Sequence, residues 1–109
     1  PSSWNVEITE THHTAKVDAP SGTAKKIAAA IESTSASALQ GKPVPTHALR
    51  LGDVFGEHTV HLAGPGERIE LTHKASSRNT FANGSLHAAK WVYKKTPGLY
   101  DMQDVLELN

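Results

Sequence analysis

Polar and apolar side chains alternate at the start of the chain, with Trp4, Val6 and Ile8 set against Asn5, Glu7 and Thr9. A period of two is that of a strand with one buried face. This strand delivers residues 10–16 at its C-terminal end. The period then changes: Ala24, Ile27, Ala28 and Ile31 fall at the i, i+3, i+4, i+7 spacing of one helix face, just after Pro20 and Ser21-Gly22-Thr23. A helix over about 21–33 is predicted, beginning near Ser21 or Thr23. The stretch that follows, up to Pro45, is rich in Ser, Ala, Gly and Pro without a firm period and reads as a flexible surface loop.

Strand patterning returns over about 46–54, 57–63 and 67–75, with Gly56 and Gly64-Pro65-Gly66 at the turns. These three read as successive antiparallel neighbours. Ile69 and Leu71 share one face and Arg68, Glu70 and Thr72 the other, so one side packs on helices while the other meets solvent or a second sheet. Asn79 or Thr80 is placed to cap a second helix, in which Phe81, Ser85, Ala88 and Val92 form one stripe beside Ala82, Leu86, Ala89 and Tyr93. Pro97-Gly98 ends it, and Met102, Val105 and Leu106 fit a short terminal turn. The expected class is α+β: a mixed, largely antiparallel sheet of about four strands with two main helices packed on one face.

Composition narrows the functional classes. At 109 residues the chain suffices for one domain. Its 11 basic and 11 acidic side chains cancel without a Lys/Arg-rich run, so the footprint of a nucleic-acid binder is missing. The absence of cysteine excludes disulfides and thiolate metal sites and fits a reducing compartment. No apolar run approaches a membrane span, and Pro1-Ser2-Ser3-Trp4 has no signal-peptide regions. A cytoplasmic domain without a membrane partner is expected.

The chemistry concentrates in residues 10–24, which hold two imidazoles, an ammonium and a helix start. The first N–H groups of a helix lack intrahelical partners and carry the positive end of its dipole, so a carboxylate or phosphate can dock there. Lys16, His12 and His13 lie just upstream. His12 and His13 are adjacent, so on extended backbone they point to opposite sides and need separate roles. A metal site is the main competitor for the seven histidines. However, His58-Thr59-Val60-His61 puts its two rings on opposite faces of a strand, and no H-E-x-x-H or carboxylate–histidine cluster is visible, so no metal is expected.

The run H-H-x-x-K-x-D-A-P-S-G-T-A over residues 12–24 resembles the signature of the 4-hydroxy-tetrahydrodipicolinate reductases, nicotinamide-dependent enzymes of the diaminopimelate route to lysine. G-D-V-F-G-E-H-T-V (52–60), G-E-R-I-E-L-T-H-K-A-S-S-R (66–78), F-A-N-G (81–84) and P-G-L-Y-D-M (97–102) are similar to the same family's C-terminal blocks in the same order. The resemblance implies that His12 is the general acid/base with Lys16 as its catalytic partner. It further implies that His13 contacts a carboxylate, and that Ser21, Gly22 and Thr23 bind a carboxylate of a cyclic dicarboxylate substrate through amides and hydroxyls. Asp18 and Pro20 shape the turn, and Arg78 matches a characteristic family arginine of open role. The reductant implied is NADH or NADPH, which delivers hydride to C4 of the unsaturated ring.

Two departures stand out. The family's N-terminal Rossmann half has no counterpart here, since Gly64-Pro65-Gly66 has the wrong spacing and sits between strands. With no initiator methionine, residues 1–109 are expected to be the substrate-binding and oligomerisation domain cut from a longer polypeptide, inactive alone. The second departure is the shortened 33–45 loop. A homotetramer through this domain is implied by the resemblance, on the premise of an apolar second sheet face. The alternative is a non-catalytic anion-binding or assembly module of the same fold.

Overall fold

The computed structural model describes residues 3–109, with 36 and 37 described by backbone alone. Pro1 and Ser2, part of the opening read as lacking a signal peptide, lie outside the described residues. Two compact units divide at Ser76. The first holds β1 (Asn5–His12), α1 (Gly22–Thr34), α2 (Ala36–Leu39), β2 (Thr46–Arg50), β3 (Glu57–Gly64) and β4 (Glu67–Lys74). The second holds α3 (Asn79–Val92) and α4 (Met102–Val105).

The strands form one mixed sheet in the order β2-β1-β3-β4, with β1 and β2 parallel and the other pairs antiparallel. The α+β class is the one expected, but the neighbours are not. β2 does not lie beside β3; it pairs with the far edge of β1, reached by the crossover through α1 and α2, as parallel strands require. β2 also stops at Arg50, short of the predicted 54. Alternation marks a strand and its buried face but carries no information about its partner. The Pro65-Gly66 turn between β3 and β4 appears as read, with Gly66 at φ +77, a conformation that favours glycine.

Register decides which side chains share a face. Val6 and Ile8 lie opposite Leu62 and Val60, and α1 covers them with Ala24, Ile27, Ala28 and Ile31. Ile8 and Ala24 are completely buried. The segment read as a flexible loop contributes to this core instead: it contains α2, Leu39 packs against the cluster and Val44 is buried. Glu32 Oε1 accepts from the Val44 N–H at 2.8 Å and Pro45 O accepts from the Ile8 N–H at 2.9 Å, which ties the segment down at both sides. A short apolar residue between prolines has no period to announce it. Ile69 and Leu71 lie opposite Leu62 and Val60 on the same face, yet remain 55% and 71% exposed.

The other sheet face is polar, which corrects the premise of an apolar one. Glu7 pairs with His47 at 2.6 Å, His61 Nε2 meets Thr9 Oγ1 at 2.9 Å, and Thr59 and Thr72 hydroxyls meet at 3.0 Å. In the second unit, neither Asn79 nor Thr80 caps α3. Arg78 occupies the N-cap position without a side-chain bond, and Ser77 Oγ accepts from the Asn79 N–H. Trp91 and Tyr100 meet edge to face at 5.2 Å, and Asp101 with Asp104 forms a capping box on α4. No helix among the described residues is long and apolar enough to cross a membrane.

Because Ile8 is wholly enclosed, Ile8→Ala should cost about 2–5 kcal/mol of stability. Urea unfolding followed by circular dichroism should show a lower midpoint with an unchanged slope.

Candidate functional site

Continuing the alternation of β1 past Ile8 places Glu10 and His12 on the covered face. The Glu10 side chain has no solvent exposure and that of His12 has 12%. A bare carboxylate in such a place is costly, and here it is satisfied from three directions. Arg50, at the end of β2 and opposite His12 in the parallel register, donates from Nη1 to Oε2 and from Nη2 to Oε1, both at 3.0 Å. The His12 Nδ1 lies 2.5 Å from Oε2, and the Ser21 N–H donates to Oε1 at 3.1 Å. Arg50 Nη2 also donates to Asp18 O at 2.6 Å, and Nη1 to Leu49 O at 2.8 Å. One ion pair therefore pins the loop between β1 and α1 at its start, middle and end.

Ser21 caps α1 from extended backbone, its Oγ accepting from the Ala24 N–H at 3.1 Å. The same hydroxyl is hydrogen-bonded at 3.0 Å to Nε2 of His58, which reaches across from β3, where it lies opposite Glu10. The His58 ring meets the His12 ring edge-on, centroids 5.2 Å apart. With its N–H on Glu10 and its hydroxyl on Ala24 and His58, the buried Ser21 has little left for a ligand. Gly22 and Thr23 differ: they are exposed, and their N–H groups have no partner among the described residues. Lys16 pairs with Asp18 at 2.9 Å rather than with His12, and His13 is half-buried just beyond β1. Of the residues singled out from sequence, His12, Ser21, Gly22 and Thr23 are gathered around one helix start.

Three further residues were missed. Glu10 and His12 stand two apart on a strand whose buried face was already assigned, so their shared face was a readable signal. Arg50 and His58 gave none, because their proximity depends on strand pairing. The expectation that no carboxylate–histidine cluster exists is corrected: Glu10, His12 and His58 bring ligand atoms within 4.8 Å of one another. The carboxylate oxygens already accept from Arg50, His12 and Ser21, so a divalent cation would have to displace a guanidinium. His61 does face away from His58, as its spacing predicts, toward Thr9 and Glu70.

Burial raises the Glu10 pKa, but the bonds from Arg50, His12 and the Ser21 N–H outweigh it and hold the carboxyl below its ordinary 4.5. His58 is pushed below its ordinary 6.5, first by burial and then by its electrostatic interaction with His12, with His73 and Lys16 adding to the effect and Glu10 opposing it. The Lys16 ammonium likewise holds Asp18 below its usual range.

The fold and site together define an α+β domain that can hold an anion at a helix start beside a buried, carboxylate-anchored imidazole. Comparison with known proteins gives the family: the chain belongs to the one described as dihydrodipicolinate reductase, C-terminus, whose model matches residues 1–106. It is 50% identical over 120 aligned positions to a 4-hydroxy-tetrahydrodipicolinate reductase of Thiobacillus denitrificans, covering 96% of this chain and 45% of that relative. A second reductase of that name, from Nitrosomonas eutropha, is 47% identical, covering 99% of the chain and 46% of the relative. Among solved structures, the dipicolinate-bound dihydrodipicolinate reductase from Paenisporosarcina sp. TG-14 matches with a TM-score of 0.72 and 29% identity, covering 92% of this chain and 44% of that one. The chain thus spans a little under half the length of these relatives. The first alignment is longer than the chain, so that relative carries residues with no counterpart here.

A group whose folded pKa is lowered binds protons more readily when unfolded, so acid favours unfolding. The His58 contribution is complete above about pH 6.5 and lost as pH falls through its lower folded value; that of Glu10 follows below about 4.5. Thermal melts should show stability declining from about pH 6.5 downwards. His58→Gln, whose amide can still hydrogen-bond the Ser21 hydroxyl but does not titrate, should remove the upper stage and keep the lower one.

Proposed function

We propose that this chain is the substrate-binding domain of a 4-hydroxy-tetrahydrodipicolinate reductase, an enzyme that reduces 4-hydroxy-tetrahydrodipicolinate to tetrahydrodipicolinate in lysine and diaminopimelate biosynthesis. The observation that carries the reading is the exposed pair of free N–H groups at Gly22 and Thr23, directly after a buried cap bonded to Glu10 and His58. A structure similar to this one is named as dipicolinate-bound, and a cyclic dicarboxylate has the charge and shape that such a helix start accepts.

In this reading the Gly22 and Thr23 amides, with the Thr23 hydroxyl, hold one carboxylate of the substrate. Ser21 shapes that clamp from within. His13 contacts a carboxylate from the other side of the backbone. His12 exchanges the proton and Lys16 offsets negative charge developing on the ring; Asp18 holds the ammonium in place until a ligand competes for it. Orientation by the carboxylate contacts supplies much of the rate.

NADH or NADPH supplies the hydride when bound. No glycine-rich strand-to-helix turn among the described residues fits its pyrophosphate, so the coenzyme is assigned to a Rossmann domain outside residues 1–109 and the chain alone is inactive. The whole enzyme is a cytoplasmic homotetramer assembled through this domain, with a polar rather than an apolar sheet face available for contact.

Titrating the chain with pyridine-2,6-dicarboxylate, followed by amide NMR shifts, tests the reading. Shifts should centre on Gly22, Thr23, His12 and His13. A folded chain that shows none, or binds elsewhere, is the assembly module instead. Gly22→Pro offers a sharper test: proline suits the first helical position, Ser21 already has the extended backbone that precedes proline, and a Cβ at Gly22 meets nothing within 4 Å. It deletes one charge-assisted bond, so affinity should fall about 10- to 100-fold while the melting temperature is kept.

A further inference from the structure

The hydrogen bond between Glu10 and His12 fixes more than a ring angle. An ionised carboxylate only accepts, so the nitrogen facing it must carry the hydrogen. At 2.5 Å that nitrogen is Nδ1. Glu10 cannot turn away to accept elsewhere: Arg50 grips both its oxygens, and Ser21 donates to Oε1. Arg50 is itself held by the carbonyls of Leu49 and Asp18. The ring of His12 is confined by the His58 edge and is nearly enclosed. A half-turn of the imidazole would place a C–H against the carboxylate and forfeit the bond.

We propose that Glu10 is a positioning residue for proton transfer: locked by Arg50 and the Ser21 N–H, it holds neutral His12 in the Nδ1–H tautomer, so that Nε2 is the only nitrogen that exchanges a proton with a ligand. The role rests on the reading of His12 as the proton-transfer group. Its logic is the general one in which the bond made by one ring nitrogen decides the state of the other. Because the same carboxylate takes the N–H of Ser21, the proton carrier and the start of α1 are tied through one group. A ligand held at Gly22 and Thr23 therefore meets the imidazole at a set distance and with a set tautomer. The lowered pKa of Glu10 keeps the carboxylate ionised throughout the neutral range.

Long-range 1H–15N NMR of the ligand-free chain at about pH 8.5, above the ordinary histidine range, reads the tautomer directly. His12 should show a protonated Nδ1 and an unprotonated Nε2. An Nε2–H form, or an average of the two, overturns the proposal with no variant needed. In Glu10→Gln an amide oxygen at the Oε1 position keeps the Ser21 N–H and Arg50 Nη2, so the amide NH2 takes the Oε2 position facing His12, at the loss of the Nη1 bond, and the two nitrogen signals of His12 should exchange character. In a complete reductase carrying this domain, the same change should lower kcat about 10- to 100-fold with KM within a few-fold. An exchanged tautomer with unchanged kcat would refute the positioning role. Since the spectrum is recorded without ligand, a failed dicarboxylate titration refutes the substrate reading alone, while a wrong tautomer refutes this one with the titration intact.

Discussion

A carboxylate with no access to water has to be neutralised and hydrogen-bonded, or it unfolds what surrounds it. Glu10 meets that demand by drawing in a guanidinium from β2, an imidazole from its own strand and a backbone N–H from the head of α1. Each donor comes from a different segment. The arrangement of the site follows from satisfying this one group, since loss of any donor leaves part of a buried charge uncompensated.

The consequences extend to what the site offers a ligand. Ser21 spends its N–H on Glu10 and its hydroxyl on Ala24 and His58, so it acts as the anchor of the helix start rather than as its binding surface. The next two residues, Gly22 and Thr23, are left with free amides in the open. A helix N-terminus is a common feature; this one is tied to the sheet through a buried ion pair and a histidine of β3. Arg50 adds the remaining constraint by holding Asp18, and with it the loop that carries Lys16.

The outer face of the sheet follows a different principle. Glu7, Thr9, His47, Thr59, His61, Glu70 and Thr72 satisfy one another across strands, so this face is polar without being bare charge. Any copy of the chain that packs there has to match hydrogen bonds and charges, not bury oil. That makes the contact selective in register, since like charges brought opposite each other would be penalised.

Much of this was legible along the chain. Alternation in residues 4–9 announced β1 and its covered face, the spacing from Ala24 to Ile31 announced α1, and Ser21-Gly22-Thr23 announced a helix start, because local periods and caps are written in neighbouring residues. The same alternation carried two positions further would have buried Glu10 and His12. What the tertiary structure alone decided was pairing: that β2 joins β1 in parallel, that Arg50 thereby reaches Glu10, that His58 reaches Ser21, and that Val44 closes the core. The contacts of Arg50 with Glu10 and of His58 with Ser21 join residues 40 and 37 positions apart. No local rule specifies them, since a strand's side-chain pattern names the face to be buried and leaves open which edge will satisfy its backbone.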